Sequence, residues 1–159
     1  MSITLSHINT KSTRIFMGTF TNGEAIHAAF AKIATAENIH AATFEMLGGL
    51  IEVEFTEYDF INKIRREPLV FARPLEILSG HGTISRLKNE ALIHTHLTLS
   101  FRDESARNGI SVVGGHAARA IAFAVEFTLS VYDGVPVNRE MHEATGLQLW
   151  SLPALDDSP

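Results

Sequence analysis

Histidine is the residue type most able to do chemistry in this chain. Of eight histidines, His94 and His96 are separated by a single residue, and His116 follows the glycine pair Gly114-Gly115. On a β-strand, side chains at i and i+2 share one face about 7 Å apart, so two imidazoles there can lean onto one ion. A third imidazole that returns after a turn and a glycine bend joins them at a small loop-closure cost. Three imidazoles with an open position suit Zn, and also Ni or Fe(II). The same residues could equally be surface or hydrogen-bonding groups on a polar sheet face, and spacing alone leaves both readings open. The chain contains no cysteine, so thiolate metal sites, cysteine nucleophiles and disulfide frameworks are excluded.

Familiar His-x-His enzymes do not fit. Where a JAMM-type metalloprotease carries its downstream aspartate, this chain has Arg107, and Leu97 replaces the proline after the second histidine. Where a cupin carries a glutamate beyond His-x-His, the chain reads Thr98, Leu99, Ser100 and Phe101. Asp103 and Glu104 lie in a polar hairpin and read as solvent-exposed. Glu126 interrupts the small-residue face of a long apolar strand, where an unpaired charge is costly. It is the one candidate catalytic carboxylate, as a general base or as a partner steadying a ligand histidine, and an ion pair with Arg119 or Arg86 is the alternative. Gly48-Gly49 and Gly114-Gly115 lack phosphate-loop spacing and read as bends with positive φ.

These residues need stiff elements to hold them. Ile93, Thr95, Leu97 and Leu99 alternate with His94, His96 and Thr98, which predicts a strand from Glu90 with both histidines on one face. Asn108-Gly109 predicts a tight hairpin turn, Ile110 to Val113 a short returning strand, and Gly114-Gly115 its break. Ile121, Phe123, Val125, Phe127, Leu129 and Val131 predict one apolar side of a long strand, with Ala122, Ala124, Glu126 and Thr128 on the other. Further strands are expected over Arg14 to Phe20, Leu50 to Tyr58 and Leu69 to Leu78. Thr21-Asn22-Gly23-Glu24 has capping-box spacing and predicts a helix starting there. Ile26, Phe30 and Ile33 give it an apolar face, and the pattern fades near Asn38, about four turns on. Many strands with one main amphipathic helix, and hairpin signals in place of strand-helix alternation, give an α+β fold with a largely antiparallel sheet. The 159 residues read as one domain over 1–151, followed by a frayed tail over 152–159.

The composition bounds the partners. A formal charge of −5 counts against a primary nucleic-acid binder. The one basic cluster, Lys63-Ile64-Arg65-Arg66, has no interleaved aromatic residues and reads as a solvated turn or strand edge. Arg119 and Glu126 interrupt the longest apolar stretch, leaving no membrane span, and the first residues do not read as a signal peptide. The chain is therefore read as cytoplasmic.

Taken together and in order, these segments resemble the plants-and-prokaryotes-conserved (PPC) domain. The resemblance runs from about Ser12 to Asp133, through Gly23-Glu24, Glu76-Ile77-Leu78-Ser79 with Gly80, Gly82-Thr83-Ile84-Ser85, His94-Thr95-His96, Gly114-Gly115-His116 and Val125-Glu126. It implies an α+β domain that assembles as a homotrimer. In prokaryotic members it suggests a metal, here on His94, His96 and His116; the three-imidazole set makes that a divalent ion, Zn by preference, with a small molecule as the expected partner at the site. Plant relatives are nuclear regulators whose AT-hook touches DNA, and prokaryotic members often carry a DNA-binding label. This chain has no Arg-Gly-Arg-Pro core, and Arg73-Pro74-Leu75-Glu76 stands near the place of the plant Arg-Phe-Glu segment. The competing expectation is a DNA-binding or regulatory assembly module without catalytic activity.

Overall fold

The structure is a computed structural model and describes residues 4–9 and 11–153. Residues 154–159 of the expected tail lie outside it. In chain order the elements are β1 (Thr13–Phe20), α1 (Ile26–Ala36), β2 (Ala42–Thr56), β3 (Tyr58–Asp59), β4 (Ile64–Arg65), β5 (Leu69–Phe71), β6 (Leu75–Leu87), β7 (Glu90–Arg102), β8 (Ile110–Tyr132), β9 (Arg139–His142) and β10 (Leu147–Trp150). Every ladder is antiparallel, as the alternation and hairpin signals require.

The pairings close on themselves. β8 bonds β7 through its first residues and β2 along most of its length, β7 bonds β6, and β6 bonds β2, so four strands complete a ring. β1 extends it along the last third of β8, pairing Thr13 to Phe20 with Tyr132 to Val125. Inside lie Leu97, Leu99, Leu129, Val53, Val125 and Val131, all at most 2% exposed. Two hairpins stand apart from this wall, β3 with β4 and β9 with β10.

The helix presents Ile26, Phe30 and Ala34 as its buried stripe. Phe30 stacks on Phe44 with ring centroids 4.1 Å apart and meets Phe20 and Phe127 edge-on at 5.0 Å. Such a cluster adds directional contacts to the burial of large apolar side chains. The helix is shorter than the capping-box reading expects and begins later, at Ile26. Glu24 does reach back to the Thr21 N–H, which is half of a capping box. However, Gly23 donates to the Ala122 carbonyl, Ala122 donates to the Glu24 carbonyl, and Ala25 bridges Ile121. Those pairings hold residues 23–25 against β8 and postpone the helix.

The largest departure from expectation is β8, a single strand of 23 residues. Gly114-Gly115 does not end it. Partners on both sides carry the chain through: Gly114 faces Thr98, Gly115 faces Leu97, and His116 is already paired with β2 through Thr56. A Cβ on Gly114 would lie 2.7 Å from the Leu97 carbonyl oxygen, so this position allows the two strands to approach closely. Gly48, at φ +116°, and Gly115, at φ +157°, do have the positive φ expected of each pair. The face assignment also slips. Register shifts of β2 against β8 between Gly49 and Glu52 move Ala122 into the core at 0% exposure and turn Phe123 outward at 59%. From Val125 on, the expected alternation holds.

The Asn108-Gly109 turn is wider than a two-residue hairpin. The loop spans residues 103–109, closed by the Asp103 N–H donating to the Gly109 carbonyl. The Leu69 to Leu78 run splits into β5 and the start of β6 around Arg73-Pro74. Proline there has no N–H to give a central ladder.

Candidate metal centre

Thr95, Leu97 and Leu99 are buried on the inner side of β7, and strand alternation forces His94 and His96 to the outer side. His96 lies directly opposite His116 across the β7–β8 ladder. One ligand atom from each of His94, His96 and His116 lies within 4.8 Å of the others. The rings are close without stacking face to face, with centroids 5.1 Å apart for His94–His96, 4.9 Å for His94–His116 and 5.5 Å for His96–His116. A fourth imidazole, His81 on β6, is the cross-strand neighbour of His96, with its ring centroid 6.3 Å away. It stands beside the triad and outside it.

The protonation states suit a ligand set. Burial lowers His94 to about 4, with the charges of Arg139 and His96 next in importance. Burial likewise lowers His116 to about 4, helped by His94 and Arg65. His96 shifts the same way by burial and by His81. Neutral imidazoles at neutral pH present lone pairs with no proton to displace.

The triad opens into a groove of about 1310 Å³. Its walls above the sheet are the two small hairpins, β3–β4 and β9–β10, which meet where the Tyr58 hydroxyl donates to the Thr145 carbonyl at 2.9 Å. Asp59 anchors the first hairpin: its carboxylate accepts from the backbone of Ile61 and Asn62 and pairs with Arg66 at 2.7 Å. Those bonds, led by the Asn62 N–H, hold Asp59 down to about 2. The expected basic cluster Lys63 to Arg66 therefore sits on a groove wall, with Lys63, Arg65 and Arg66 all lining it.

Arg139 opens β9 and is the site residue that the sequence did not single out. Its guanidinium donates to Ser85 Oγ at 2.7 Å and the Gln148 carbonyl at 2.9 Å, and Nη2 lies 3.5 Å from His94 Nδ1. No spacing rule marks it, because a hairpin far along the chain brings it to the triad.

Glu126 is placed elsewhere. It is exposed, ten positions beyond His116 on β8, and faces Thr19 on β1 and Leu47 on β2. That separation is roughly 30 Å of extended chain. Its expected ion-pair partners are also engaged elsewhere: Arg119 pairs with Glu52, and Arg86 bonds His40 and the Asn89 carbonyl. Asp103 bonds Ser105 and Ser111 within its own loop, which holds it at about 2, and it takes no part in the triad.

A closed antiparallel ring with one packed helix and histidines from two adjacent strands defines a class of fold, and the profile of the Plants and Prokaryotes Conserved (PCC) domain matches residues 7–133. The chain belongs to this family. A metal-containing protein of Archaeoglobus fulgidus is 26% identical, with a TM-score of 0.79 over 94% of this chain and 99% of that one. A plant- and prokaryote-conserved protein of Pyrococcus horikoshii is 22% identical at TM-score 0.77, covering 89% and 94% respectively. A protein of Ralstonia eutropha, described as a candidate for DNA binding, is 23% identical at TM-score 0.73, covering 86% and 90%. No curated protein matches the chain significantly.

Proposed function

We propose that this is a trimeric PPC-domain protein that holds one divalent metal, Zn by preference, on His94, His96 and His116 and receives a small molecule at the remaining position. The observation that carries this reading is the convergence of three neutral imidazole donors within 4.8 Å at the floor of a groove. Such a site supplies Lewis acidity and an activated water when loaded, which suits hydrolytic or lyase chemistry. The metal-containing relative at 26% identity supports the same reading.

Elemental analysis of untagged protein tests it. About one metal per chain is expected in the wild type and none in the His94→Ala, His96→Ala, His116→Ala triple variant, with the fold retained. Metal-free protein that also fails to take up added Zn overturns it.

The trimer is supported by exposed apolar side chains on the outer face. Ile15, Met17, Leu47 and Phe123 are 59–83% exposed on β1, β2 and β8, interspersed with exposed Glu126 and Thr128, and suit contact with a second copy of this chain. Sedimentation at micromolar concentration should give three chains per particle, and a monomer overturns the assembly.

The second reading, a DNA-binding or regulatory module, draws on the suggested DNA binding of the Ralstonia protein. The charge of −5 disfavours it, and salt-dependent binding to duplex DNA would be its signature. Among the described residues no helix is long and apolar enough to cross a membrane. The cysteine-free composition is what our proposal of a cytoplasmic location rests on.

A further inference from the structure

The charges around the triad do not balance. Lys63, Arg65, Arg66 and Arg139 line the groove against two carboxylates, Glu57 and Asp59. Arg66 engages both of these, Asp59 at 2.7 Å and Glu57 at 4.0 Å. Among the described residues, Arg65 and Arg139 therefore have no carboxylate within 4.0 Å. Arg139 is also half-buried, which disfavours an unpaired charge. A guanidinium cannot shed its proton to escape that cost, so it is stabilised only by an anion or by neutral acceptors.

The two arginines approach the triad from different sides. Arg139 is held against β6 by Ser85 and reaches His94. Arg65 lies over the Tyr58 ring and donates to Thr56, the residue opposite His116 in the β2–β8 ladder. A metal on His94 would also change what Arg139 can do. A coordinated neutral imidazole has one nitrogen on the ion and a proton on the other, so it has no lone pair left to accept from Nη2. Loading the site takes an acceptor away from a half-buried guanidinium that already lacks a carboxylate.

We propose that the groove selects small oxyanionic ligands, a carboxylate or phosphate group held by the Arg139 guanidinium beside the triad, with Arg65 on the far side. This rests on the metal reading for its placement, and on Arg139 alone for its charge selection. Anion and metal then bind cooperatively, because each improves the other's surroundings.

The test is direct binding followed by ¹⁹F NMR, with 4-fluorobenzoate and 4-fluorophenylphosphonate as probes and 4-fluorobenzyl alcohol as the neutral control. Zn-loaded wild type should bind at least one of the anions and leave the alcohol unbound, and whichever probe binds more tightly identifies the anion class. Affinity should drop by about tenfold or more in Arg139→Gln, the usual scale for one charge-assisted hydrogen bond, with metal content unchanged. Arg139→Lys should recover part of it, and Arg65→Gln should lose less. Wild type and Arg139→Gln binding equally well, or the alcohol competing with the anions, overturns the proposal. If elemental analysis shows no metal, the metal reading fails by itself, and the same titrations on metal-free protein still decide whether Arg139 selects anions. Should Arg139→Gln not fold, Arg139→Lys carries the decision: it should bind the anions more weakly than wild type and leave the alcohol unbound, and anion affinity equal to that of wild type, or loss of all discrimination against the alcohol, overturns the proposal.

Discussion

The ring wall that carries His94, His96 and His116 and the hairpins that carry Arg65 and Arg139 are held in place by different means. The wall is secured by ladders between strands of 13, 15 and 23 residues and by a dry interior in which Leu99, Leu129, Val53 and Val131 are fully buried. The hairpins are made of strands of 2 and 4 residues and are tied by a few polar bonds: Asp59 with its neighbours, Tyr58 to Thr145, and Arg139 to Ser85. The groups that would fix an ion sit on the rigid part, while those that would meet its ligand sit on the lighter one. Ligand geometry and ligand choice can therefore be changed separately.

The largest expected effect falls on the wall. Phe30→Ala removes a fully buried ring stacked on Phe44 and should cost about 3–5 kcal/mol of global stability by denaturant titration. The metal content of the molecules that remain folded should be unchanged. A loss below about 1 kcal/mol would show that the helix is not what closes this core.

The next effect is confined to the first hairpin and driven by acid. Asp59 has a folded pKa of about 2, depressed below the ordinary value near 3.9, so it stabilises the hairpin above pH 4. That contribution is lost as pH falls from about 4 through 2. The Asn62 amide resonance should titrate near 2 while resonances of β8 stay still, and an apparent value near 4 would mean that the anchoring bonds do not form.

The smallest effect is at the junction of the hairpins. Tyr58→Phe removes one hydrogen bond and should cost about 1 kcal/mol locally. It is read as faster proteolysis around Thr145 with an unchanged global midpoint. A shifted midpoint would merge the two regions into one cooperative unit.

Much of the wall was legible in sequence because period-two alternation is a local signal. Ile93 to Leu99 set the faces of β7 and put both histidines outside, and the return to His116 needed only a turn and a short strand. Other features depend on partners distant in the chain. Gly114-Gly115 reads as a break until β7 and β2 are present to pair across it. Phe123 reads as core until a register shift against Gly49 and Leu50 rotates it outward. The capping box at Thr21 is half-formed because the Glu24 N–H donates to the Thr21 carbonyl, while Ala122 and Ile121 hold the following residues on β8. Arg139 could not have been singled out, since its role comes from a hairpin folding back over strands that precede it by some 50 positions.

From Val125 to Val131 the strand β8 is bonded on both edges, to β1 on one side and β2 on the other. The amide protons there that bond β2 can meet solvent only when the ring opens, whereas those of the hairpins need only a local excursion. One exchange experiment on the intact protein thus contains two clocks, a slow one for unfolding and a fast one for the gate above the histidines. If bound ion or ligand escapes at the pace of the fast clock, it leaves past the hairpins with the wall intact. Escape at the pace of the slow clock would mean that the chain has to unfold before it lets go.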